Sequence, residues 1–133
     1  MILHIHRKRT LKELQDDFNY FFPYLRLEFF SKPHRRMVRS SARRKLNPYL
    51  QIETVRSRQC NGALGINDHA PVQELEQALQ QHYDLSAQVY HFAKGQWLMT
   101  DAADMATLAE LNDQGRREAH TFHQVYVQPR NYL

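Results

Sequence analysis

Leu3 and Ile5 alternate with His4 and His6, the period-two pattern of a half-buried strand. The pattern then changes. Thr10-Leu-Lys-Glu13 reads as a capping box, and Leu11, Leu14, Phe18 and Phe22 follow at spacings of 3, 4 and 4. That spacing predicts one apolar helix face, which Pro23 stops. Leu25, Leu27 and Phe29 alternate again as a strand, with Arg26 and Glu28 on its other side. From Ser31 to Leu46 no apolar period survives, and the stretch reads as a loop long enough to be either functional or disordered. Leu50, Ile52 and Val55 suit a short helix ahead of Asn61-Gly62, a turn signal.

The same order then begins again. Leu64 and Ile66 read as a strand, Pro71 favours a helix start, and Val72, Leu75, Leu79 and Tyr83 share one helical face. Ala87 to Phe92 is a strand, Ala93-Lys-Gly95 a hairpin turn, and Trp97 to Thr100 the returning strand. Asp104 is placed to cap a last helix through Leu108 and Leu111, ending at Gly115. Residues 119–133 carry scattered apolar positions (Phe122, Val125, Val127, Tyr132) and suit a further strand or a docked arm. Leu3, Ile5, Thr10, Leu11, Glu13, Leu14, Phe18 and Phe22 are answered 61 residues later by Leu64, Ile66, Pro71, Val72, Glu74, Leu75, Leu79 and Tyr83. A repeated unit of this size cannot bury its apolar face alone. The expected fold is therefore α+β and a single domain over 1–133. Two β-α-β(-β-α) internal repeats, about 1–60 and 61–118, would share one mixed sheet with helices mainly on one face, in a ferredoxin-like or β-grasp-like arrangement. The expected core is Leu3, Ile5, Leu14, Phe18, Phe22, Leu27, Leu64, Ile66, Leu75, Leu79, Val89, Trp97 and Leu108.

Composition supports a packed core, with 42% apolar and 11% aromatic residues in 133. No apolar run is long enough to cross a membrane. Arg7-Lys-Arg9 is followed by no apolar segment or cleavage site, so no secretory signal is expected. The single cysteine, Cys60, has no internal disulfide partner, which fits a cytoplasmic protein. Charge divides the chain. Residues 1–58 hold 14 Lys/Arg against 5 Asp/Glu, a net of +9, and residues 59–133 hold 4 against 9, a net of −5. Lys32 to Lys45 holds seven Lys/Arg and no acid. Such a run more often faces solvent, or attracts the chain's own acidic half, than it marks a site; a polyanion partner is the sharper reading.

Seven aromatic residues fall between Phe18 and Phe30. Phe18, Phe22 and Phe29 belong to the expected core faces, whereas Tyr20, Phe21 and Phe30 lie off them and are available for a partner or dimer contact. Aromatics beside a basic run also suit nucleic acid, with rings on bases and cations on phosphates. Phe29, Phe30, Lys32, His34, Arg35, Arg36, Arg39, Arg43, Arg44 and Lys45 would carry either kind of docking. No RNA-recognition aromatic signature, KH loop or zinc finger supports the nucleic-acid reading. His4 and His6 share one strand face, and His120 and His123 would complete a metal site only if the tail packs beside them; solvent-facing imidazoles are the plainer reading. Cys60 has no base adjacent in sequence, and His4 and His69 are the histidines that the fold would have to bring to it. Phosphate loops, nucleophile elbows and dinucleotide fingerprints are absent. The chain is thus expected to be a non-enzymatic protein-binding or adaptor module without a cofactor, with a protein partner or a second copy; nucleic-acid binding is the alternative.

Five segments together carry a resemblance: Phe22-Pro-Tyr-Leu-Arg-Leu-Glu-Phe-Phe30, Val72-Gln-Glu-Leu-Glu76, Leu85-Ser-Ala-Gln-Val-Tyr90, Trp97-Leu-Met-Thr100 and Thr107-Leu-Ala-Glu-Leu-Asn112. They resemble a family of small uncharacterised bacterial proteins of Bacteroidetes type, over most of residues 10–115. The chain departs at Tyr83-Asp84, where a phenylalanine-glycine pair is expected, and at Ala106, where a tryptophan is expected. The resemblance implies a fold and no activity, so it assigns no residue a role.

Overall fold

The computed structural model describes residues 1–31, 44–101 and 105–126, with 122–126 described by their backbone only. Its elements run β1 (Ile2–Ile5), α1 (Leu11–Phe21), β2 (Leu25–Phe30), α2 (Ile52–Val55), β3 (Gly62–Gly65), α3 (Val72–Tyr83), β4 (Ser86–Ala93), β5 (Gln96–Met99) and α4 (Leu108–Tyr126). The fold is α+β. Two of the helices, α1 and α4, start at capping boxes. The Thr10 hydroxyl accepts from the Glu13 N–H at 3.2 Å while the Glu13 carboxylate accepts from the Thr10 N–H at 3.1 Å, closing the expected box on α1. Pro71 stands at the N-cap of α3.

Asp104 lies outside the described residues, and α4 is capped by a second box that the spacing Thr107-Leu-Ala-Glu110 already contains. Thr107 Oγ1 accepts from the Glu110 N–H at 3.1 Å, and the Glu110 carboxylate accepts from the Thr107 N–H at 3.4 Å. The helix does not end at Gly115 as expected. It continues to Tyr126, so the first part of the supposed tail is helical. Gly115 is a packing residue instead: a Cβ there would lie 2.7 Å from Tyr24 Cβ and 3.3 Å from the Phe92 carbonyl oxygen. Helix and sheet meet too closely for any side chain.

The strands form two antiparallel sheets, β1-β3 and β2-β4-β5, not the expected single mixed sheet. Several outward backbone groups at the edges of the two sheets have other partners. The His4 carbonyl accepts from the Arg9 guanidinium, and the Arg7 N–H donates to Asn61 Oδ1. On the free edge of β2, the Leu25 carbonyl accepts from the Asn19 amide, and Phe29 accepts from the Leu46 N–H. Beyond the end of β5, the Val89 N–H donates to the Glu76 carboxylate. Both sheets pair strands across the chain's two halves, with Leu3 opposite Leu64 and Leu27 opposite Val89.

Several backbone hydrogen bonds recur between the two halves, with the residues before α1 and α3 offset by 61 and those at the starts of α2 and α4 by 56. Arg9 N–H to His6 O is matched by Ala70 N–H to Asn67 O. Ile52 N–H to Arg9 O is matched by Leu108 N–H to Ala70 O, and Glu53 N–H to Arg7 O by Ala109 N–H to Asp68 O. The bridge of Thr10 with Gln51 is likewise matched by that of Pro71 with Thr107.

One apolar cluster joins the inward faces. Leu14 and Phe18 of α1, and Leu75 and Leu79 of α3, pack with Leu3, Ile5, Leu27, Phe29, Ala87 and Val89, and Leu108 and Leu111 of α4 close it. Leu11, Leu25, Ile52 and Leu85 are also buried, beyond the core expected from sequence. Trp97 and Leu64 are only half-buried. Asp84 ends α3 in the left-handed region at φ 57°, the position where the resembling family would place glycine. Its carboxylate offsets that strain by accepting from the N–H groups of Ser57 and Arg58, both at 3.0 Å. No helix among the described residues is long and apolar enough to cross a membrane.

Candidate docking surface

The three-stranded sheet has two unlike faces because strand side chains alternate. Leu25, Leu27, Phe29, Ala87 and Val89 point into the core. The register puts Arg26 opposite Tyr90, Tyr90 opposite Met99, and Phe92 opposite Trp97 on the other face, with Glu28 and Phe30 alongside. Phe29 is therefore a core residue, 1% exposed, and is removed from the set expected to touch a partner. Its neighbour Phe30 is half-buried on the outer face. The pleat alone separates the two.

Aromatic rings on this face hold cations. The Arg26 guanidinium lies 4.2 Å from the Trp97 ring centroid, and the Lys45 ammonium 5.1 Å from that of Tyr90. Phe92 meets Trp97 edge-on at 5.5 Å. Lys45 comes to this face because it bridges Phe30 at the edge of β2, where Ser31 N–H donates to Arg44 O at 2.8 Å. Arg44 and Lys45 are both exposed. Burial raises the Tyr90 phenol above its ordinary value, and the nearby Glu28 carboxylate adds to the effect. Arg26 is exposed and Met99 is 51% exposed, so the outer layer is a set of cations and a thioether over an aromatic floor. Cations held this way keep their N–H groups outward for carboxylate or phosphate.

Of the other expected site residues, Lys32, His34, Arg35, Arg36, Arg39 and Arg43 lie outside the described residues. Sequence reading did not single out Arg26, Tyr90 or Trp97 as site residues. The signal was available in the alternation of β2 and β4, but it becomes a site only once β4 brings Trp97 across from Arg26. Tyr20 and Phe21, at 84% and 56% exposed, stand on the outer side of α1 as expected.

Of the remaining candidates, the His123 side chain lies outside the described residues. His4 and His6 are exposed, and among the described residues no group of three or more His, Cys, Asp or Glu side chains is gathered to hold a metal. Cys60 donates to the His82 backbone carbonyl at 3.1 Å and sits 3.9 Å from the Arg56 guanidinium. Arg56 is itself buried and donates to the Tyr83 carbonyl and to Asn61, so it ties the loop after α2 to the end of α3. No family model, curated protein or solved structure matches the chain. The resemblance to the bacterial family rests on its motif residues alone.

Proposed function

We propose that the protein is a non-enzymatic binding module that docks an acidic protein partner on the outer face of the β2-β4-β5 sheet. The observation that carries this reading is the pair of cations laid on rings, Arg26 on Trp97 and Lys45 on Tyr90. A ring beneath a cation limits the rotamers open to it, so less entropy is lost when a carboxylate arrives. The same arrangement argues against base stacking, because the ring faces are already taken. A second reading, contact with nucleic-acid phosphates, is favoured by the seven Lys/Arg from Lys32 to Lys45, a run that ends with Arg44 and Lys45 at the edge of this face.

Fluorescence anisotropy of a labelled acidic peptide, single-stranded DNA, duplex DNA and RNA, each titrated over salt, separates the two. Peptide binding that weakens about tenfold or more in the double variant R26A/K45A is expected for the protein reading. Nucleic-acid binding that falls steeply with log salt, and depends on Arg35, Arg36, Arg43 and Arg44, would favour the second. No binding of any of these anions at low salt would overturn both.

A further inference from the structure

A cavity of about 150 Å³ opens between β3 and α3, lined by Leu64, Gly65, Ala70, Glu74, Leu75 and Ala78, with Leu108 at its end. The corresponding place in the first half of the chain is filled by one side chain. Arg9 donates to the His4 carbonyl at 2.7 Å, to the Asp17 carboxylate at 2.8 Å and to the Glu13 carboxylate at 3.4 Å. It is half-buried, with its side chain 23% exposed. Burial opposes its charge, but the hydrogen bonds and charges of Asp17 and Glu13 outweigh that and hold its pKa above the ordinary value.

Arg9 and Ala70 occupy the same backbone position in the two halves. Each donates its N–H three residues back, to His6 O or Asn67 O, and each accepts from the first residue of a later helix, Ile52 of α2 or Leu108 of α4. The sheet β1-β3 obeys the same exchange, pairing Ile2 with Gly65 and His4 with Ala63. At that spacing His4 corresponds to Gly65, Glu13 to Glu74 and Asp17 to Ala78. The second half thus retains one carboxylate and the outward carbonyl of the strand, and lacks the arginine, the second carboxylate and the strand side chain. A Cβ on Gly65 would meet no atom within 4 Å. Glu74 is exposed and has no side-chain partner among the described residues.

We propose that this cavity is a binding site for a guanidinium group, the side chain of an arginine supplied by a partner polypeptide. The chain itself shows the occupied form of the site. The incoming guanidinium donates to the Glu74 carboxylate and to the Gly65 carbonyl, as Arg9 does to Glu13 and to His4, and its methylenes lie against Leu64, Leu75 and Ala78. A cavity of this size accommodates a benzene-sized group, so the guanidinium and part of its stem fit. The lining favours a cation, since Glu74 is the one charged side chain among the lining residues and it is acidic. The site stands apart from the basic sheet face and does not depend on it.

The test is a titration of the labelled protein with N-acetyl-arginine methylamide, followed by amide chemical shifts. The citrulline analogue, neutral and nearly isosteric, and the lysine analogue are the controls. Saturable shifts at Gly65, Ala70, Glu74 and Ala78 with the arginine compound, and none with citrulline, are expected. The variant A70R, whose own side chain should reproduce the Arg9 contacts, is expected to lose the response. The variant A78D restores the second carboxylate and should bind about tenfold more tightly. Equal response to citrulline, an unchanged affinity in A78D, or no saturable shift in the wild-type protein overturns the proposal. Because A78D is read independently, a misfolded A70R does not shield it.

Discussion

Phe18 has no exposed surface, and its ring centre lies 5.2 Å from that of Phe22 on the buried side of α1. Truncation to alanine leaves a cavity that the surrounding helices and strands cannot refill, and F18A is expected to lower stability by about 3–5 kcal/mol. Urea unfolding measures it, and a change within error would show that Phe18 is not in the core. Glu13 makes a different kind of contribution, one that depends on pH. The Thr10 N–H bonded to its carboxylate, helped by Arg9, holds its pKa below the ordinary 4.5 against a smaller opposing effect of desolvation. A depressed carboxyl stabilises the folded state above its ordinary pKa, and the contribution disappears as pH falls through the depressed value. The gap in Tm between wild type and E13Q should therefore be full at neutral pH and narrow from about pH 5 downward. A gap independent of pH would assign the loss to shape instead of charge.

At the scale of elements, α4 sets the clearest test. Alanine is a better helix former than glycine by about 1 kcal/mol. At position 115, however, its Cβ would lie 2.7 Å from Tyr24 Cβ, and neither partner is a flexible tip. Overpacking of this kind costs about 1–3 kcal/mol, so G115A should melt at a lower temperature despite its better propensity. A higher Tm would mean that helix and sheet can slide apart. This residue also shows what was legible in the sequence. The starts of α1, α3 and β2 follow local rules, in which a hydroxyl three residues before a carboxylate, a proline and a two-residue alternation suffice. The far end of α4 does not. Glycine commonly ends a helix, and only the proximity of Tyr24 and Phe92, 91 and 23 residues away in the chain, makes it an interior packing residue. The candidate surface was half legible for the same reason: Phe30 stood beside the basic run and Lys45 ended it, whereas Trp97 reaches Arg26 only through the pairing of β2, β4 and β5.

Across the whole molecule, the two proposed sites have opposite sign, and their charged side chains come from opposite halves of the chain. The cations on the sheet face include Arg26 and Lys45 from the +9 half, and the cavity beside Glu74 lies in the −5 half. The halves are nonetheless inseparable as structures, because β1 pairs with β3 and β2 with β4. Ile2 meets Gly65 and Phe30 meets Ser86, contacts 63 and 56 residues apart along the chain. Most of the sheet pairing is thus non-local, which slows the search for the native state. On the ribosome the consequence is sequential. The basic half emerges first with neither of its strands matched, and both sheets wait for the acidic half to be made.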